Sequence, residues 1–500
     1  MAVLNGLVLV GVLASFVLYN LASRIKTYLH LRHIPGPARL ALSRSWLFKQ
    51  TVTGKIPHAL ADMASEYGPL VRVGPNWLLC SDINEIRRMW SVHSGWHRDV
   101  WYTGFRFDPA SDNILTANDN KVHHRIRTAV LPGYNAKGIT TQEGVIDAQV
   151  GKLLDLIERK YVSSKETGIR PMDMARKFLY FTQDATSALG FTTPFGYLDA
   201  DEDFNNTIST LEGMLPTVNS VGLYPGIIAL MNTPLVKSLL PKPHDNNGMG
   251  KLLGLIKDRV DARYENKAKK EEDILQRFVD SNLSQKEVEA EVLIMLFGGT
   301  DTTATALRMT VFYLSTTPSA HRALQAEIDG AVKSGKASRP VIADSEALEL
   351  DYLNAVIKEG LRMWPPISGM QLKCSDKDDV ICGYKVPAGT AVGISEFTVM
   401  RDKSIFGEDA DRFNPGRWVE EKDPKKLKEM EMTQGMVFAS GTRWECLGKR
   451  LAYTEMRKVL FELFLRYDFA MTDPAKPFEF WNYGATLHEH MNVTITKRDI

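Results

Sequence analysis

The 500-residue sequence is short of cysteine, of net charge and of repeats, and each shortage closes off a class of protein. Only Cys80, Cys374, Cys382 and Cys446 occur and none forms a CxxC, which argues against a disulfide framework or a zinc ribbon. Lysine and arginine total 61 against 60 acids, a formal charge of +1, so the basic field that nucleic-acid binding needs is missing. No period of roughly 20 to 50 residues recurs, which removes solenoids. Glycine (36) and proline (23) sit near average usage, and with 44% apolar and 24% charged residues the chain is neither collagenous nor disordered. What remains is a packed globule with a large core. Its length alone would suggest about three domains, yet no linker divides it.

Long apolar runs are scarce too, with one exception. From Ala2 to Tyr19 the chain reads AVLNGLVLVGVLASFVLY, without a charge. At about 1.5 Å per residue this run spans roughly 27 Å, close to the ~30 Å of a bilayer's hydrocarbon core. Arg24, Lys26 and Arg32 follow it, and the positive-inside rule then leaves the rest of the chain in the cytosol. The expected organisation is a transmembrane anchor over 1–23, a basic, proline-rich hinge over 24–37 that ends in Ile34-Pro35-Gly36-Pro37, and one globule over 38–500. A cleaved signal peptide competes with the anchor; the missing basic n-region and the length of the run argue against it.

Along the globule, YGPLVRVGPNWLLCSDINEIRRMW predicts a hairpin followed by a helix capped by Ser81 or Asp82. The aromatic stretch WHRDVWYTGFRFDP has no clean period and predicts a long loop. Residues 147–283 are mostly helical in pattern, with an apolar, Gly/Pro-interrupted patch from Leu211 to Leu240. Ser284-Gln285-Lys286-Glu287 is a capping box that opens the longest helix, running to about Ser315. A second clear helix, Asp351 to Met363, is stopped by Trp364-Pro365-Pro366, and short strands return over 380–399. The charge-mixed run Val419 to Met432 predicts a solvated surface segment. The balance is a mainly α fold with small β-sheets, an α+β globule.

Within this framework one cysteine separates from the rest. Cys80 ends a strand, and Cys374 and Cys382 flank a charged turn, settings that suit structural roles. Cys446 lies between Gly441 and Gly448, just ahead of the apolar-periodic helix LAYTEMRKVLFELFLRY. A thiolate at a helix N-terminus meets free N–H donors and the positive dipole end, and glycines let backbone approach a flat ligand. These conditions suit a soft anionic axial ligand to haem iron. The segment FASGTRWECLG, Phe438 to Gly448, resembles the haem-binding loop of cytochromes P450, F-x-x-G-x-R-x-C-x-G, with one residue more. Phe438 and Gly441 stand one position further from the cysteine, and Arg443 three rather than two before it, so it stays open whether Arg443 or Trp444 faces a haem propionate.

Further features resemble the same family in the family's order. Gly298-Gly299-Thr300-Asp301-Thr302-Thr303 is similar to the oxygen-activation segment; on physical grounds it is anomalous, because each mid-helix glycine costs about 1 kcal/mol relative to alanine. Glu359 and Arg362 match the family's E-x-x-R, and Arg417, in FNPGRW, would complete a Glu-Arg-Arg network in which Gly416 replaces the usual acid. His123 and Arg127, four apart on one helix face, match the pair that meets the haem propionates, and Lys373 stands where many relatives carry a further propionate-binding Arg. His488 and His490 would share a strand face, a metal pair without a third ligand.

The resemblance implies a haem-thiolate monooxygenase of microsomal type: haem b ligated by the Cys446 thiolate, Asp301 and Thr302 relaying protons, and one oxygen atom inserted into a lipophilic substrate. Electrons would come through NADPH–cytochrome P450 reductase, with cytochrome b5 as a further partner, because the chain has no GxGxxG module of its own. Arg443 to Lys458 carries net positive charge and is the expected docking patch. A single-pass protein of the endoplasmic reticulum membrane follows from the anchor. Two other readings keep the haem: an isomerase or dehydratase working without external electrons, which has no need of the Asp301–Thr302 pair, and a non-catalytic haem binder. The expected substrate contacts are Trp101 to Leu115, Leu211 to Leu230, Ile294 to Thr302, Ile367 to Gln371 and Tyr483 to Thr486. WYTGFRFDP followed by HHRIRTAVLPGY resembles fungal P450s of the pisatin-demethylase type, which points to specialised-metabolite biosynthesis.

Overall fold

The computed structural model describes residues 15, 18, 22–106, 108, 111–135, 141–204, 206–243, 245–265 and 270–499. The expected transmembrane anchor lies outside them apart from residues 15, 18, 22 and 23, and among the described residues no helix is long and apolar enough to cross a membrane. Of the expected hinge, residues up to 31 are helical. Its proline-rich end is tied to the globule: Arg72 N–H donates to the Pro35 carbonyl at 2.7 Å, and a Cβ on Gly36 would lie 2.5 Å from the Arg72 carbonyl oxygen.

Six helices frame the interior: α1 (Asn120–Tyr134), α2 (Met174–Phe191), α3 (Thr207–Leu223), α4 (Gln285–Thr316), α5 (Asp351–Met363) and α6 (Lys449–Arg466). The capping box at Ser284 and Glu287 is formed as expected and opens α4, which crosses the centre of the molecule and packs on α2, α5 and α6. Nearly every residue of α2 is buried, including polar ones, most of which find partners: Thr182 and Ser187 donate to the carbonyls of Phe178 and Gln183, and Asp184 accepts the amides of Gly196, Tyr197 and Leu198. Buried polar groups satisfied in this way are what a helix needs to run through a core.

The hairpin forms in the register Leu70↔Cys80 and Arg72↔Leu78, and Asp82 caps the following helix. It is extended into a five-stranded sheet: Trp77–Cys80 pairs in parallel with Ala391–Ile394, which pairs with Lys373–Cys374, which pairs with His97–Arg98 at the edge. This last step sets Arg98 directly opposite Lys373. A separate sheet places Ile367–Ser368 beside Gly484–Glu489. The fold is mainly helical with small sheets. Two local expectations change. The aromatic stretch is no open loop, because a 3-10 helix, Val100–Phe105, buries Trp101, Tyr102 and Phe105 behind the Asp99 cap. The charged run is partly a helix, Pro424–Gln434, whose Met430 is buried.

Candidate active site

Cys446 sits just ahead of α6, with Gly448 at the helix N-cap. Its N–H donates to the Phe438 carbonyl at 2.9 Å, which ties the two ends of the loop together. Between them Ala439 and Gly441 take left-handed backbone (φ 50° and 73°), and Thr442 N–H donates to the Ala439 carbonyl. The Phe438-to-Arg443 spacing is that of the loop pattern, so the extra residue falls in Trp444-Glu445. The thiol is exposed, and what it is exposed to is a cavity of about 390 Å³. The enclosing protein pushes the Cys446 pKa up, opposed by the Gly448 and Lys449 amides and by Arg127. A bound metal cation reverses that balance outright.

Across the cavity runs the middle of α4. Gly298 faces open space, where any side chain would project into the cavity, whereas a Cβ on Gly299 would lie 2.7 Å from Thr186 Oγ1. The two glycines therefore differ: the first keeps the cavity wall flat, the second lets α2 and α4 touch. Thr302 lines the cavity and donates its hydroxyl back to the Gly298 carbonyl at 2.7 Å. Asp301 also lines it, one oxygen held by Arg308 at 2.9 Å and the other without a partner. Burial pushes the Asp301 pKa up, with Arg308 opposing. Arg308 is seven residues on, two turns along the same face; it is fully buried and also donates to the Thr486 carbonyl at 2.8 Å.

A third wall carries cations. Arg98, His123, Arg127 and Lys373 all line the cavity. His123 is buried with both ring nitrogens unpartnered, and burial, reinforced by Arg98 and Arg127, pushes its pKa down to about 2, so it is neutral. Arg98 has an unpartnered Nε, and burial lowers even this guanidinium to about 10. Lys373 Nζ donates to Tyr102 Oη at 2.8 Å and to the Gln371 carbonyl at 3.1 Å, inside a cage made by the rings of Trp90, Tyr102 and Trp444 at 4.3, 4.8 and 4.7 Å. Arg127 donates to the Glu445 carbonyl at 2.6 Å. Like charges directly opposite on a sheet repel, so Arg98 facing Lys373 is a pair in want of an anion. Sequence reasoning missed Arg98; the available signal was an arginine inside an otherwise aromatic, buried segment, where an unpaired charge is costly.

Arg443 does not join this wall. Its Nη2 donates to the carbonyls of Val92 and Ser94, its Nε is unpartnered, and Trp444 lines the cavity in its place. Phe438 also lines the cavity and packs its ring on Tyr453 at 5.3 Å.

Glu359, Arg362 and Arg417 meet as expected, away from the cavity. Glu359 accepts from Arg362 Nη2 (2.8 Å) and Nε (2.9 Å), Arg417 Nε (3.0 Å), Trp418 Nε1 (2.9 Å) and the Asn414 amide (2.8 Å). Where Gly416 replaces the usual acid, Asp409 supplies a carboxylate instead, 3.0 Å from Arg417 Nη1. The histidine pair does not form: His488 is buried among Trp364, Phe478 and Phe480, while His490 lies beyond the strand at φ 58° and is exposed. Among the described residues no group of three metal-ligating side chains exists. The docking patch is thinner than expected, because Arg457 and Lys458 are buried against Asp344 and against Glu143 and Asp147. Lys449 and Arg450 remain on the surface side. The substrate segments meet the cavity through Trp101, Ile114, Leu211, Leu215, Ile294, Ile367 and Tyr483, joined by Leu179 and Leu189 of α2; beyond Leu215, residues up to Leu230 turn away from it.

These residues fit a haem. A thiol at a helix N-terminus shares the cavity with a flat glycine-bearing wall, and buried donors without protein partners are gathered on another wall, a set that carboxylates would satisfy. Comparison with known proteins agrees. Residues 34–493 match the model of the cytochrome P450 family. The chain is 35% identical over 497 residues, 98% of its own length and 96% of the relative's, to cytochrome P450 monooxygenase ABA1 of Pyricularia oryzae. It is 34% identical over 473 residues, 94% and 92% of the two chains, to cytochrome P450 monooxygenase aba1 of Botryotinia fuckeliana. It is 27% identical to cytochrome P450 monooxygenase mpaDE of Penicillium brevicompactum, covering 54% of that longer protein.

Proposed function

This chain belongs to the cytochrome P450 family and is a monooxygenase of it, and from that premise we propose that it inserts one oxygen atom of O2 into a lipophilic small molecule of fungal specialised metabolism. The observation that carries the reading is Cys446 set opposite Gly298 and Thr302 across one cavity. Cys446, as thiolate, would hold haem b by its iron, while Arg98, His123, Arg127 and Lys373 would hold its carboxylates. When bound, the haem supplies dioxygen activation, with the thiolate pushing electron density towards O–O cleavage. The protein's own part is proton supply and exclusion of water. Asp301, its pKa raised by burial against the opposing Arg308, is the candidate acid; Arg308 fixes its orientation, and its free oxygen and the Thr302 hydroxyl both line the cavity. The lining, mainly aliphatic and aromatic, suits an apolar skeleton. The intact Asp301–Thr302 pair speaks against an isomerase or dehydratase and against a passive binder.

The proposed electron source is NADPH–cytochrome P450 reductase, with cytochrome b5 as an accessory partner, meeting the face that bears Lys449 and Arg450. The proposed location is the endoplasmic reticulum membrane, single-pass, with the catalytic domain in the cytosol. It is supported by the apolar run from Ala2 to Tyr19, the basic residues after it, and the exposed apolar side chains of Leu230, Leu235 and Leu239. The test of the core reading is spectroscopic. The reduced, CO-bound protein should show the red-shifted Soret band of thiolate ligation and lose it in Cys446→Ala, and turnover should require NADPH and the reductase. A band without the shift, or one that survives the substitution, defeats the reading.

A further inference from the structure

We propose that Trp444, through its indole N–H, is the cysteine loop's hydrogen-bond donor to a haem carboxylate, the part that the loop pattern gives to Arg443. Three observations meet on this residue. The chain has one residue more between Arg443 and Cys446 than the pattern, and the backbone uses it to turn Trp444 inward, where it is 92% buried on the cavity wall. Its Nε1 has no partner in the protein, and an indole N–H can only donate, so burying it alone is unfavourable. Arg443, by contrast, is absent from the cavity wall and holds the 92–94 segment by its carbonyls.

The indole is also held in place. Its ring meets Trp90 edge-to-face, centroids 6.1 Å apart at 84°, and Lys373 Nζ lies 4.7 Å from its centroid. Lys373 thus acts twice: its amino group, whose charge burial disfavours and a carboxylate would restore, stands beside the carboxylate and packs on the ring that carries the N–H. Arg98 Nε and His123, both without partners, line the same wall, so the donors form one set that a carboxylate would satisfy. The chain exchanges a charged fork for a neutral donor, and Arg443, bonded to the 92–94 segment, acts on the cavity wall only through its field on His123.

The inference rests on the haem-thiolate reading, and the ferrous–CO band separates the two failures. In holoenzyme that shows the thiolate band, Trp444→Phe keeps the ring and its packing and removes the N–H. Its propionate bending mode in the resonance Raman spectrum should shift, and haem transfer to apomyoglobin should quicken several fold, while Arg443→Ala leaves the mode where it is. If Trp444→Phe retains too little haem to measure, Trp444→His, which restores a ring N–H, should recover both properties. An unshifted mode in Trp444→Phe, a shift in Arg443→Ala, or no recovery in Trp444→His overturns the assignment with the thiolate band intact; a wild type without that band overturns both readings.

Discussion

Two clusters of buried charge lie in this fold and are built on opposite principles. Around Glu359 every group has its counterpart: five hydrogen bonds converge on one carboxylate, two arginines share it, and none of Glu359, Arg362 and Arg417 leaves a buried side-chain atom without a partner. Around Lys373 the signs do not match. Arg98, Arg127 and Lys373 gather with His123 and Trp444, and partnerless donors remain. Burial disfavours charge of both signs here: it pushes Glu396 and Glu291 up to about 8 and Lys373 well down, so an added anion is what would let Lys373 keep its charge. A closed network positions the chain; an open, one-signed one is made for something else. The difference separates structural from ligand-binding residues without any appeal to the family.

The comparison can be broken most strongly at Glu359. Glu359→Ala leaves buried Arg362 without an acid and Arg417 with Asp409 alone, and should cost about 3–5 kcal/mol, read as a collapse in thermal stability and holoprotein yield. A loss below about 1 kcal/mol would mean that the network is not closed. A smaller effect should appear with pH in the open cluster. As pH rises through about 8, Glu396 ionises beside Lys373 and competes with a haem carboxylate. Haem transfer to apomyoglobin should therefore accelerate a few fold between pH 7 and 9, and Glu396→Gln should flatten the profile; equal slopes in the two proteins would remove Glu396 from the account. The smallest effect is expected at Asp409, 41% exposed and at the rim of the closed network. Asp409→Asn should cost no more than about 1 kcal/mol by thermal denaturation, and a larger loss would place Asp409 in the core of the network instead.

Much of the site was legible in the chain, and what was legible is local. The capping box at Ser284, the stop after Met363, the glycines around Cys446 and the Gly298-to-Thr302 anomaly each need only a few neighbouring residues. Arg308 escaped notice because it pairs with Asp301 across two turns, beyond the i+4 spacing at which helical ion pairs are usually sought. Arg98 and Asp409 escaped for a different reason. The value of Arg98 comes from facing Lys373, 275 positions away, and that of Asp409 from a loop that returns to Arg417. The docking patch was narrowed in the same way, since Lys458 looks like surface charge until Glu143 and Asp147 fold over it, which leaves Lys449 and Arg450.

The sequence by itself determined which cysteine could be an axial ligand, where the central helix begins and breaks its own rules, and the order in which the family's features follow one another. Helix propensity, capping and glycine freedom act over one or two turns, so they can be read without a fold. Only the tertiary structure decided which side chains face the cavity: that Trp444 turns in and Arg443 out, that Gly298 opens to the cavity while Gly299 seats α2, and that Arg98 stands against Lys373. Those choices depend on what packs across a gap, and burial of a charge or an N–H has no meaning until the surrounding chain has closed over it.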